Sequence, residues 1–106
     1  MPKYLFKAQL NPDAMQGLQK EGGTARKNYI EKLIQEAGGT VESFYYAFGE
    51  TDTFVITEMP DTVAAASLSL AINSSGTVKV TVVPLITPAE ADEAIKKRIK
   101  YRAPGK

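Results

Sequence analysis

The thirteen residues from Phe44 to Ile56 limit the fold of this 106-residue chain more than any other stretch. They form two apolar, aromatic-rich runs, Phe44-Tyr45-Tyr46-Ala47-Phe48 and Phe54-Val55-Ile56, separated by the polar Gly49-Glu50-Thr51-Asp52-Thr53. Two such runs around a Gly-bearing connection read as a β-hairpin, with Gly49 taking the positive φ of the turn. An isolated hairpin is barely stable in water, so the flanking chain must supply further strands and a cover. It does so in pairs, a strand and helical segments before the hairpin and a helix and a strand after it.

Lys3 to Leu10 alternates, with Tyr4, Phe6, Ala8 and Leu10 on one side and Leu5, Lys7 and Gln9 on the other. That period marks a strand with one strongly apolar face. Asn11 and Pro12 then open a helix as cap and first residue, running to about Lys20. Gly22-Gly23 interrupts it, and a second helix begins near Thr24, with Tyr29, Ile30, Leu33 and Ile34 at three- and four-residue spacing. Gly38-Gly39 closes that helix. After the hairpin, Pro60 keeps Met59 extended, and Asp61 caps an Ala-rich helix to about Ser74 that carries Val63, Ala66, Leu70 and Ile72. Thr77 to Leu85 alternates again through Val78, Val80 and Val82. Thr87-Pro88-Ala89-Glu90 fits a capping box, and the helix it starts is expected to reach about Lys100.

The core order is therefore β-α-β-β-α-β, an α+β fold of the ferredoxin-like kind: an antiparallel sheet with helices on one face and an extra C-terminal helix. Residues 1–88 form the ferredoxin-like domain and residues 89–106 a helix with a basic tail. With Phe54, Ile56 and the three valines of the last strand assigned to the covered side, the other side still carries Leu5, Val55, Val83, Ala47 and Tyr45. They sit among Lys7, Gln9, Ser43, Thr57, Lys79 and Thr81. An apolar surface of that extent ordinarily has a partner, so a second copy of the chain is expected on it.

Two absences narrow the chemistry. Without cysteine there is no disulfide, thiol nucleophile or thiolate metal site, and without histidine no imidazole base or usual zinc triad. No metal or cofactor is expected. The net charge of +1 favours no partner by itself. No apolar run approaches the ~20 residues of a membrane span. Met1-Pro2-Lys3-Tyr4 lacks the apolar core of a signal peptide, so a cytoplasmic location is expected.

The run Lys20-Glu21-Gly22-Gly23-Thr24-Ala25-Arg26, the Gly38-Gly39 pair and Phe48-Gly49-Glu50-Thr51-Asp52 resemble the GYD domain family of small bacterial proteins. Pro60-Asp61 and Ser75-Gly76-Thr77-Val78 fit the same pattern, and the resemblance covers about residues 3–88. It departs at the Gly-Tyr-Asp signature, where this chain reads Gly49-Glu50-Thr51-Asp52: the aspartate is kept and the tyrosine is not. The resemblance implies a dimeric α+β barrel and no particular activity.

Residue by residue, the strongest candidate for binding is the start of the second helix. Arg26 and Lys27 in its first turn oppose the helix macrodipole, whereas helix stability alone would favour acids there. Lys20, Thr24 and Arg26 at the glycine-rich junction are the candidates to bind a carboxylate- or phosphate-bearing ligand, against the commoner arrangement in which Arg26 pairs with Glu21, Glu50 or Asp52. Tyr29, Tyr45 and Tyr46, with the amide of Asn73, are candidates to line an apolar pocket between helices and sheet. Asp52 is the candidate general base if burial raises its pKa, against the commoner role of fastening a turn. Lys96, Lys97, Arg98, Lys100, Arg102 and Lys106 form the one concentrated basic patch, with Tyr101 among them.

These readings favour a homo-oligomeric module that binds a small anionic or aromatic ligand. The alternatives are a cofactor-independent oxygenase or isomerase that uses Asp52, and weak nucleic-acid binding through the basic tail.

Overall fold

The computed structural model describes all residues 1–106. Its elements are β1 (Lys3–Leu10), α1 (Pro12–Glu21), α2 (Gly23–Glu36), β2 (Thr40–Tyr46), β3 (Thr53–Glu58), α3 (Thr62–Asn73), β4 (Val78–Leu85) and α4 (Pro88–Lys96). The four strands form one antiparallel sheet in the order β2-β3-β1-β4. This is the ferredoxin-like arrangement that the hairpin and its paired flanks require. No helix is long and apolar enough to cross a membrane.

The local signals act as their chemistry dictates. The Asn11 side chain accepts the Ala14 N–H at 2.9 Å and Asp61 accepts that of Ala64 at 2.8 Å, so each caps the helix that follows it. Gly38, at φ 88°, turns the chain out of α2 while the Gly39 N–H bonds the Ile34 carbonyl at 3.0 Å. Gly39 is needed for a different reason. A Cβ there would lie 2.5 Å from the Met59 sulfur and 2.7 Å from the Glu58 carbonyl oxygen.

The hairpin connection differs from expectation. Phe48, not Gly49, adopts the left-handed conformation, at φ 54°. Its ring stacks on Tyr46, with centroids 5.4 Å apart and planes 7° from parallel, and this contact accompanies a backbone that a non-glycine residue rarely adopts. Six residues separate β2 from β3, a broad loop rather than a tight turn, closed by the Ala47 N–H on the Asp52 carbonyl at 2.9 Å.

The core lies between the sheet and the helices. Tyr4, Phe6, Val55 and Val80 face Ile34, Ala65 and Leu68, and Met59 is fully buried beneath them. This corrects the phase of β3. In the antiparallel register Val55 is opposite Phe6 and Thr57 opposite Tyr4, so Thr53, Val55 and Thr57 belong to the helix face. Phe54 and Ile56, opposite Lys7 and Leu5, belong to the open face. Thr57 tolerates full burial because its hydroxyl bonds the Tyr4 carbonyl at 3.4 Å.

The stripe of α3 is also shifted. Ala65 and Leu68 are its buried residues, while Val63, Ala66 and Leu70 are exposed. On α2, Ala25 and Tyr29 are exposed, Ile34 is buried in the core, and Ile30, Leu33 and the C-cap Ala37 pack against it as the spacing predicts. At the C-terminus α4 stops at Lys96 rather than near Lys100, because Arg98 turns left-handed at φ 53°.

Candidate functional site

A cavity of about 70 Å3 lies inside the sandwich, floored by Phe6, Phe44 and Val55 and roofed by Ile30, Leu33 and Ile72. Its position follows from the alternation of the four strands, which turns every second side chain toward the helices. Arg26 and Thr53 are the polar side chains in a wall that is otherwise apolar, with the ring of Tyr46 between them in character. Few, well-placed polar groups in an apolar wall are the usual composition of a small-molecule site.

The arginine is set by the glycine junction. Gly22, at φ 93°, ends α1 and starts α2 without a side-chain cap, and the Arg26 N–H closes the first turn on the Gly22 carbonyl at 3.1 Å. From there Arg26 lines both the cavity and an adjoining surface recess formed with Leu10, Ala14, Glu21 and Thr77. The guanidinium carbon stands 5.0 Å from the centroid of the Tyr29 ring, a cation–π contact.

No carboxylate reaches Arg26. The ion pairs of the molecule are Lys3–Glu42, Lys3–Glu58 and Lys27–Glu31, so the expected pairing of Arg26 with Glu21, Glu50 or Asp52 does not form. A partly buried arginine without a counter-ion beside an apolar cavity is well placed to receive an anion.

Tyr46 lines the same cavity. Its hydroxyl donates to the Gly23 carbonyl at 2.9 Å, and a Cβ at Gly23 would come within 3.1 Å of its ring. The ring also meets Phe44 edge-on, with centroids 5.2 Å apart. Burial pushes the phenol pKa upward; the Arg26 charge opposes that shift and Glu21 adds to it. Tyr46 therefore stays a neutral donor across the ordinary pH range.

The remaining candidates do not converge on the cavity. Tyr29 touches Arg26 but is 51% exposed, and Tyr45 is 69% exposed on the open face of the sheet. Lys20 and Thr24 lie exposed at the α1–α2 junction, outside the cavity lining. Asn73 clamps the edge strand: its amide accepts the Val80 N–H at 2.7 Å and donates to the Val80 carbonyl at 3.2 Å. This supplies the ladder partner that an edge strand otherwise lacks.

Asp52 is only 8% exposed, yet it is not among the residues that line the cavity. Its carboxylate accepts the Leu10 N–H at 2.8 Å, and its own N–H bonds the Ala8 carbonyl at 2.9 Å. It ties the hairpin loop to the end of β1.

Thr53 lines the cavity although the sequence does not mark it, whereas Leu33 and Leu18 line it as members of helix stripes that read simply as core. Thr53 becomes visible only once the hairpin register sets it opposite Tyr46. Nothing in the spacing of Leu18 distinguishes it from an ordinary core leucine.

Comparison with known proteins gives one match. The family model described as the GYD domain matches residues 4–95, and no curated protein or solved structure matches the chain.

Proposed function

The chain belongs to the GYD domain family, and from that premise we propose that it is a homo-oligomeric module that binds a small anionic ligand. The apolar part of the ligand occupies the cavity between sheet and helices, and its anionic end meets Arg26. The observation that carries this reading is the unpaired Arg26 at the junction of the cavity and the outer recess. A cavity of about 70 Å3 is roughly half the ~150 Å3 that admits benzene into an engineered protein core. The volume favours a short aliphatic chain over an aromatic ring, so a short-chain carboxylate fits best.

The oligomer reading rests on the open face. With the phase of β3 settled by its register, Leu5, Phe54, Ile56 and Val83 share that face with the exposed Tyr45. It is more apolar than the sequence alternation alone suggests, because Phe54 and Ile56 replace Val55 and Thr57 there. A second copy laid across it closes the barrel and removes the exposed patch.

Calorimetric titration with butyrate, with benzoate as the ring-bearing control, tests the ligand. Butyrate binds the wild-type chain more tightly than benzoate, and Arg26→Ala lowers its affinity at least about tenfold, the range of a charge-assisted pair. Equal affinity in wild type and variant contradicts the assignment of Arg26.

A further inference from the structure

The segment after β4 meets its own domain only at its root. No residue of α4 is buried. Ile95 is 67% exposed, Ile99 87% and Tyr101 80%. The chain measures 53 Å along its longest axis, with a radius of gyration of 16.6 Å against the ~13 Å of a compact domain of about 100 residues. The segment is an arm that carries its isoleucines away from the body.

Two observations point to what the arm meets. The first is where it is rooted. Ile86, Thr87 and Glu90 share a groove with Lys3, Ile56 and Leu85, so the arm leaves from the rim of the open sheet face. A copy of the chain laid on that face stands beside α4. The second is charge: residues 1–87 carry seven bases and nine acids, whereas residues 95–106 carry six bases and no acid.

We propose that residues 88–106 are a clasp on a second copy of this chain. Ile95 and Ile99 pack on the partner's body, and the run Lys96, Lys97, Arg98 and Lys100 meets its net negative surface. The inference rests on the dimer reading above and adds to it a segment that the sheet contact alone does not need. Exposed isoleucines among the cations favour this over a nucleic acid, because phosphates offer nothing to bury them.

The test is sedimentation equilibrium of the full chain and of two full-length variants, Ile95→Glu/Ile99→Glu and Lys96→Glu/Lys97→Glu. Both pairs are solvent-exposed, so the domain folds in each. The isoleucine variant is expected to weaken the dimer at least about tenfold at any ionic strength. The lysine variant weakens it in low salt and converges with wild type in high salt, where surface charges are screened. A dimer of unchanged affinity in both variants overturns the clasp while leaving the sheet-face dimer standing; a monomeric wild-type chain overturns both. Retention of a short DNA duplex by the wild type that both variants lose, with dimer affinity unchanged, also overturns the clasp and assigns the arm to nucleic acid.

Discussion

The Asp52 carboxylate accepts the backbone N–H of Leu10 at 2.8 Å, across forty-two positions of sequence. This bond holds the hairpin loop against the last residue of β1, at a site almost closed to solvent. Asp52→Ala leaves the Leu10 N–H without its acceptor and is expected to cost about 1–3 kcal/mol. Asp52→Asn, which retains a carbonyl acceptor, costs less. Urea denaturation measures both, and an unchanged midpoint for the alanine variant contradicts the structural role.

Gly39 sits where the end of β3, Met59 and Ile34 of α2 leave no room for a methyl group. Gly39→Ala forces its Cβ against the Glu58 carbonyl and the Met59 sulfur, and the carbonyl, fixed in β3, cannot yield. The expected loss is about 3 kcal/mol, toward the upper end of overpacking costs. Gly49→Ala, whose Cβ meets nothing within 4 Å, is the control and should leave stability almost unchanged.

Acid should loosen α4 before it disturbs the core. The Thr87 N–H donates to the Glu90 carboxylate at 2.9 Å while the Glu90 N–H donates to the Thr87 hydroxyl at 3.1 Å; the Thr87 backbone N–H foremost, then the Thr87 side chain, holds the Glu90 carboxyl below its ordinary value of 4.5. A lowered folded pKa means that its contribution is intact above pH 4.5 and is lost as pH falls through the folded value. Far-UV circular dichroism should therefore lose helical signal only as pH falls below the ordinary carboxyl value, while the near-UV tyrosine signal persists. Glu90→Gln removes this dependence, and a variant that frays with the wild-type pH profile contradicts it.

Much of the fold is written in residues with a single physical reading. Asn11-Pro12, Asp61 and Thr87-Pro88-Ala89-Glu90 each start a helix where their chemistry says. Tyr4-Leu5-Phe6-Lys7 alternates cleanly enough to set the faces of β1. The failures come where that contrast vanishes. Phe54-Val55-Ile56 is apolar on both faces, so alternation cannot say which side is inward; only the pairing of Val55 with Phe6 decides it. The helix α3 is Ala-rich and uncharged around its circumference, so Val63 and Leu70 read as core although Ala65 and Leu68 are. For the site, the opposing charge of Arg26 at a helix start was visible in sequence. That Tyr46 rather than Tyr45 lines the cavity was not, because the bulge between Val41 and Ser43 shifts the register of β2.

In the proposed assembly a second copy of the chain covers the open face that carries Leu5, Phe54 and Ile56. Native mass spectrometry of the wild type and of Ile56→Glu at micromolar concentration tests it most directly. The wild type is expected at twice the 11.5 kDa chain mass. Ile56→Glu, which changes the open face and leaves the helix-side core untouched, is expected as a folded monomer. A wild-type chain found only at 11.5 kDa, or an Ile56→Glu dimer as tight as the wild type, contradicts it.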